Sequence, residues 1–213
     1  MKKYLITGGA GFIGSHLSEY LSIKNKVIVI DNFSHGNKIK NLNKNIKLIK
    51  GDVRDLDLIK KHSKNCSTIF HLAAILGVDI VSDKNVETIE CEFEGIKNVC
   101  LSAKFNKVKK IIYSSSSGVY GKLNYNKNVK EDAVVAPVSA YSIAKRSCEF
   151  YLENFYKENN ISCIAVRLFN VYGPRQDERM VIPRFITQAL ANKNITVYGN
   201  GKQTRDFTYI DDC

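Results

Sequence analysis

The sequence has no apolar run of membrane-spanning length, which excludes a helical span. Its first apolar run, Tyr4 to Ile6, is soon cut by glycine, so Lys2-Lys3 do not open a secretory signal. The cysteines (66, 91, 100, 148, 163, 213) form no Cys-x-x-Cys pair and no Cys/His cluster. That argues against a metal site. Several sit in apolar patterns, where cysteine acts as a small hydrophobe. Reduced thiols and a cytoplasmic location are the expectation. Acid is scarce beside base, 21 residues against 32, for a net charge of +11. Long basic runs are lacking as well: Lys38, Lys40, Lys44, Lys47 and Lys50 are scattered among asparagines, and only Lys107-Val-Lys-Lys110 exceeds a pair. The charge reads as solvated surface with a minor pull on anionic ligands, and not as a nucleic-acid or membrane surface. There is no internal repeat and no low-complexity linker, only a polar Asn/Lys loop at 122–130.

What is present is strand-helix alternation. Apolar runs at 4–6, 27–30, 46–49, 68–74, 109–115 and 162–168 predict strands. Helical patterns lie between them at 12–21, 56–63, 85–105 and 138–159. Continuous apolar strands suit a sheet covered on both faces, and the alternation predicts an α/β fold with a doubly wound parallel sheet. After Asn170 the character changes. Residues 171–176 read as a turn-rich loop, 180–191 as a helix with Pro183 in its first turn, and 195–199 and 205–210 as short strands. The division predicted is a Rossmann-like NAD-binding domain over 1–170 and the start of a smaller, incomplete substrate lobe over 171–213.

The chain is organised around its first strand and the turn that follows, Thr7-Gly8-Gly9-Ala10-Gly11-Phe12-Ile13-Gly14. Gly9, Gly11 and Gly14 match G-x-G-x-x-G; Gly8, Gly11 and Gly14 match G-x-x-G-x-x-G. Glycine gives the tight turn, lets backbone approach a pyrophosphate, and lets helix pack flat on strand. The helix start then offers N–H groups to phosphate. Asp31 ends the second strand, about 20 residues on, where an acid suits ribose hydroxyls. No arginine follows it closely, which favours NAD over NADP.

A second constellation is Ser114-Ser115-Ser116-Ser117-Gly118-Val119-Tyr120-Gly121, then Tyr141-Ser-Ile-Ala-Lys145. The serines end a predicted strand, where open α/β sheets bind ligands. Tyr141 and Lys145, four apart, share a helix face. Tyrosine ordinarily titrates at about 10, too high for a base near neutrality. A neighbouring lysine cation and an oxidised nicotinamide pull that value down, so Tyr141 becomes a candidate base for a sugar hydroxyl. A serine hydroxyl from the facing strand holds the same oxygen. Tyr-x-x-x-Lys alone is a common surface pair; the order glycine turn, serine strand, Tyr/Lys helix gives it meaning.

These motifs, with His71-Leu-Ala-Ala74, Gly51-Asp52-Val53, Arg167-Leu-Phe-Asn170-Val-Tyr-Gly-Pro-Arg175 and Gly201-Lys-Gln-Thr-Arg205, resemble the NAD-dependent epimerase/dehydratase family, extended short-chain dehydrogenase/reductases that act on nucleotide sugars. The resemblance covers essentially the whole chain. It implies NAD contacts from Gly8, Gly11, Phe12, Ile13, Gly14, Asp31, Asn32, Asp52, Val53, Leu72, Ala73, Ala74, Ser114, Tyr141, Lys145 and Phe169, with Asp52 at the adenine amino group. It implies Tyr141 as base, Lys145 as its activator and Ser116 as the hydroxyl partner. Ser116, Asn170, Arg175 and Arg205 would hold the nucleotide sugar, the arginines at its diphosphate. No metal is implied.

Dehydratases of the family place Asp-Glu where Ser117-Gly118 stand, and its decarboxylases place Glu at 118. A serine strand without an acid is the pattern of 4-epimerases, so the chain is most like a UDP-glucose 4-epimerase, converting a UDP-hexose by transient oxidation at C4. The alternatives are another nucleotide-sugar reaction (dehydratase, decarboxylase or reductase) or a truncated non-catalytic NAD-binding remnant. Two departures stand out. Glu92 occupies a position where the family often has Asn, and a carboxylate there is expected to repel the pyrophosphate. Met180 replaces a common Asn. Family members continue past residue 213. The helices at 85–105 and 138–159, with Cys148, Phe150, Tyr151, Leu152 and Phe155 beyond a single stripe, suit pairing in a homodimer or a core helix alike.

Overall fold

The computed structural model describes residues 1–75, 85–122 and 128–213. Part of the polar loop expected at 122–130 falls outside them. The chain divides into two compact units, Met1–Leu168 and Phe169–Cys213.

The first unit alternates as its apolar runs predict. Strands are β1 (Lys3–Thr7), β2 (Lys26–Asp31), β3 (Ile46–Lys50), β4 (Thr68–His71), β5 (Lys110–Ser116) and β6 (Ser162–Leu168). Helices are α1 (Phe12–Ser22), α2 (Leu56–His62), α3 (Asn85–Phe105) and α4 (Ala140–Asn159). The six strands are parallel, in the order β3-β2-β1-β4-β5-β6. This is the doubly wound Rossmann order, with its switch point between β1 and β4.

Alternate strand residues feed two cores, which is why the strands read as unbroken apolar runs. Ile6, Val27, Val29 and Ile46 pack with Leu17 and Leu21 of α1. Leu5, Ile28, Ile30, Ile69 and Ile111 pack with Ile59 of α2, Ile96 and Val99 of α3, and Cys148 and Leu152 of α4. Each such aliphatic side chain taken from water contributes about 1.5–3 kcal/mol.

Local chemistry sets the helix ends. In α4, Ser139 and Ser142 form a reciprocal capping box, the Ser142 N–H donating to Ser139 Oγ at 3.1 Å. Asn160 closes that helix in the left-handed region, φ 54°. In α2, Asp55 accepts from the Leu58 N–H at 2.9 Å. The strand expected through residue 74 stops at His71: after the Leu72 N–H donates to the Thr7 carbonyl at 3.0 Å, β1 has turned away at Gly8.

The second unit holds β7 (Asn170–Tyr172), α5 (Val181–Leu190) and β8 (Phe207–Tyr209), with β7 and β8 paired in parallel. Tyr172 meets the rings of Phe207 and Tyr209 edge-on, at 6.0 and 5.4 Å. Two expectations are corrected. Residues 171 and 172, expected within the loop, belong with Asn170 to a strand, because β8 supplies a partner. Residues 195–199, expected as a strand, are not one. Ile195, Val197 and Tyr198 are exposed, and the Thr196 N–H donates to Gln188 Oε1 of α5 at 3.0 Å, not to a neighbouring strand.

Candidate functional site

Parallel strands put all their carboxyl ends on one edge. That edge of the first unit therefore gathers the turn 8–14 after β1, Asp31-Asn32 after β2, Asp52-Val53 after β3, Leu72 to Ala74 after β4, and Ser114 to Ser116 at the end of β5.

The glycine turn is packed beyond what any side chain allows. Gly8 has φ +67°, and a Cβ there would lie 2.6 Å from the Ala73 nitrogen. A Cβ on Gly14 would lie 2.2 Å from the Gly8 carbonyl oxygen, so α1 seats directly on the turn. Gly11 is different. It caps α1 without a side chain, and a Cβ there would meet a single protein atom, at 3.3 Å. Bareness at Gly11 leaves room for a ligand over the first-turn N–H groups of Phe12 and Ile13.

Asp31 Oδ2 accepts from the Ala10 N–H at 3.0 Å and Oδ1 from the Phe33 N–H at 2.8 Å. The carboxylate is thereby fixed, and each oxygen keeps a lone pair for a ribose hydroxyl. Asn32 is exposed and folds back on its own turn, accepting from the Ser34 N–H at 2.9 Å. The Asp52 carboxylate accepts from Arg54 Nη2 at 2.7 Å and Nε at 3.0 Å. The hydrogen bond from Arg54 is the largest influence holding its pKa below the ordinary aspartate value. Val53 is buried, its carbonyl accepting from Asn98 Nδ2 of α3.

Ser114 lies beside Lys145, whose Nζ donates to the Ser114 carbonyl at 2.8 Å. Lys145 is fully buried, with Nζ 5.5 Å from the centre of the Tyr141 ring and 4.7 Å from that of Tyr113. Ser116 Oγ accepts from the Gly118 N–H at 3.1 Å, opening the short 3₁₀ turn Ser117–Tyr120. A Cβ at Gly118 would stand 3.3 Å from Ser116 Oγ and from Ser142 Cβ. Position 118 thus borders the serine hydroxyl and the start of α4, and it carries no acid.

The expectation for Glu92 is overturned. The side chain is fully buried on α3. Its Oε1 lies 3.0 Å from Lys145 Nζ, and its Oε2 accepts from the Tyr113 hydroxyl at 2.8 Å. The carboxylate is turned into the core against a cation and does not face a phosphate site. A neighbouring network was also missed. Glu149, one turn beyond Lys145 on α4, accepts from Arg167 Nε and Nη2 at 2.9 Å each, from Arg146 Nη1 at 2.9 Å and from Ser115 Oγ at 2.6 Å. The i, i+3 spacing from Arg146 was the available local signal.

The remaining residues lie in the second unit. Phe169 opens it; Asn170 starts β7, with Nδ2 donating to the Asp206 carbonyl at 3.1 Å. Arg205 is exposed just before β8, and Arg175 sits in the turn after β7 with φ 72°. No group of metal-ligating side chains and no helix long and apolar enough to cross a membrane occurs among the described residues.

The sequence profile of the NAD dependent epimerase/dehydratase family matches residues 4–213. A dTDP-D-glucose 4,6-dehydratase of Dictyostelium discoideum is 35% identical, covering 100% of this chain and 54% of its own length. A UDP-N-acetyl-alpha-D-glucosaminuronate decarboxylase of Bacillus cytotoxicus is 39% identical, covering 100% and 68%. The solved UDP-N-acetylglucosamine 4-epimerase of Methanobrevibacter ruminantium, in complex with UDP-N-acetylmuramic acid, superposes with a TM-score of 0.93 at 39% identity, over 98% of this chain and 69% of that one. The chain thus spans about half to two thirds of these relatives' length. By name they divide among three reactions, while the family whose profile this chain matches is NAD dependent.

Proposed function

Because the chain belongs to the NAD-dependent epimerase/dehydratase family, we propose that it is a nucleotide-sugar 4-epimerase acting on a UDP-hexose. The observation that carries this reading is the combination of Ser116, Tyr141 and Lys145 with Ser117-Gly118, which leaves no acid beside the serine.

Residues 1–170 are the NAD-binding domain in this reading, and 171–213 contribute to sugar-nucleotide binding. The N–H groups of Phe12 and Ile13 take the pyrophosphate, and Asp31 the adenosine ribose. Asn32, Asp52, Val53, Leu72, Ala73, Ala74, Ser114 and Phe169 complete the cofactor's surroundings. The bound cofactor supplies a reversible hydride acceptor, which a stereochemical change without net oxidation requires. Lys145 holds a positive charge over the Tyr141 ring, its Nζ 5.5 Å from the ring centre. Tyr141 takes the proton of the sugar 4-hydroxyl and later returns it. The Ser116 hydroxyl donates to that same oxygen and fixes its position. Asn170, Arg175 and Arg205 hold the nucleotide, the arginines at its diphosphate.

Eliminating water across C5 and C6, or losing C6 as carbon dioxide and protonating C5, calls for further acid-base chemistry, and Ser117 and Gly118 offer none. Decarboxylation is the second reading, favoured by the 39% identity to the Bacillus cytotoxicus enzyme. Carbon dioxide release from a UDP-uronate distinguishes the two.

The homodimer and the cytoplasmic location belong to the same proposal. Exposed Phe93, Leu101 and Phe105 on α3 and Phe150 and Tyr156 on α4 support the first, and the unpaired thiols the second. The direct test of the chemistry is Tyr141→Phe. Removing a general base costs about a hundred- to ten-thousand-fold in turnover. NAD binding, read by native mass spectrometry, is expected to persist; unchanged epimerisation in Tyr141→Phe overturns the assignment.

A further inference from the structure

One buried ion pair lies just behind the proposed catalytic lysine. Lys145 is 1% exposed at its side chain and Glu92 0%, with 3.0 Å between Nζ and Oε1. An ammonium this deep needs a counter-charge, since the cost of stripping its water is otherwise several kcal/mol. The backbone brings that charge into place. Gly95 lets α3 approach β4 so closely that a Cβ there would sit 3.2 Å from the His71 ring. Glu92, three residues earlier on the same helix face, is carried inward with it. Tyr113 then fixes the carboxylate from β5 by donating to Oε2 at 2.8 Å. The Ser114 carbonyl accepts from Lys145 on its other side at 2.8 Å.

We propose that Glu92 is a positioning residue that keeps Lys145 protonated and fixes its ammonium, so that the cofactor's nicotinamide ribose meets a preassembled cation. The inference rests on the reading of Lys145 as a cofactor-binding residue. Burial, the largest single influence, pushes the Lys145 ammonium towards losing its proton; the Glu92 carboxylate is the strongest opposing influence, and together with Tyr141 and Cys148 it holds the pKa above the ordinary lysine value. With Glu92 made neutral, burial remains and the pKa falls. The lysine then loses its charge as pH rises through the lowered value.

The other groups packed around the pair stay silent in the neutral to mildly alkaline range. His71 of β4 is pushed down to about 3 by burial and stays uncharged. Tyr113 of β5 is raised well above its ordinary value, chiefly by burial. Burial lifts Cys91 of α3 to about 11 and Cys148 of α4 to about 12. Arg54 stays charged, and Asp52 beside it ionised. Among the described residues Tyr141 is the remaining neighbour, and a Tyr141→Phe background removes it.

The experiment is NAD affinity of the full chain by calorimetry in that background, between about pH 6 and about pH 9. With Glu92 present, affinity is flat. Glu92→Gln matches it at the acid end and weakens about tenfold toward the alkaline end, the worth of one charge-assisted hydrogen bond. Glu92→Asp, which keeps the charge, restores a flat profile. With Lys145→Gln already in place, adding Glu92→Gln brings no additional weakening toward the alkaline end. If Glu92→Gln alone does not fold while the double variant does, the unpaired buried ammonium is the cause, as the proposal requires. Three results overturn it: Glu92→Gln indistinguishable from its parent, an equal loss at every pH, or a double variant that also fails to fold. Binding is read without sugar. A chain that binds NAD but turns over no sugar nucleotide therefore refutes the epimerase reading alone, and a flat Glu92→Gln profile refutes this inference alone.

Discussion

At the scale of single residues, the turn after β1 shows why three glycines stand where they do. Gly8 and Gly14 are required by the protein's own packing, and Gly11 leaves open space over the first turn of α1, which the proposed reading gives to the NAD pyrophosphate. Gly14→Ala forces a Cβ to within 2.2 Å of the Gly8 carbonyl oxygen. Overpacking of this kind costs about 1–3 kcal/mol. The variant is expected to melt earlier and to lose NAD together, as read by thermal unfolding with and without cofactor. Gly11→Ala, with one contact at 3.3 Å, is expected to keep its stability and weaken NAD binding. A Gly11→Ala protein with unchanged affinity contradicts the pyrophosphate placement. The glycine pattern, Asp31 and the Tyr141/Lys145 spacing were all legible in the sequence, because each follows a local rule of turn or helix geometry. The place of Glu92 was not read, although the pattern held it. Thr88, Glu92, Ile96, Val99 and Ala103 fall on one helical stripe and are all buried. A carboxylate on such a stripe needs a buried cation, and its partner lies 53 positions away on another helix, beyond the reach of local reasoning.

At the scale of elements, α3 runs over the residues its periodicity outlines, 85–105, and α4 begins two residues inside its expected start, where Ser139 caps it. The short elements after residue 168 were harder. A three-residue strand exists only if a partner is found, and pairing is non-local; β7 has β8, whereas 195–199 has none among the described residues. In the proposed mechanism the element that matters most is α4, because it carries both Tyr141 and Lys145. Glu149 ties it to β6 through Arg167, whose guanidinium lies 4.8 Å from the centre of the Tyr120 ring. Burial acts to raise the Glu149 pKa, but hydrogen bonds from Arg167, Ser115 and Arg146 outweigh it and hold it below the ordinary value. A depressed carboxyl adds stability above its unfolded pKa of about 4.3 and loses it as pH falls through the folded value. Glu149→Gln is therefore expected to be less stable than the parent at neutral pH, with the gap closing in acid. Urea midpoints across pH check this; a gap constant into acid contradicts it.

At the scale of the whole molecule, α3 and α4 pack side by side in the first unit and leave apolar residues uncovered. Phe105 is 65% exposed and Phe150 60%. Large exposed apolar side chains on neighbouring helices suit a self-association face. Sedimentation velocity at micromolar concentration is expected to show a dimer, and Phe150→Asp a monomer; a monomeric parent contradicts the pairing. The central claim is about chemistry, however, and one measurement reaches it directly. Proton NMR of the purified chain with NAD and, in turn, UDP-glucose, UDP-N-acetylglucosamine and UDP-glucuronate follows the sugar itself. The account predicts that one of these accumulates its 4-epimer, the remainder of the sugar intact and no NADH building up. A 4-keto-6-deoxy sugar, or a pentose with carbon dioxide released, contradicts it, because either product requires acid-base chemistry that Ser117 and Gly118 do not supply.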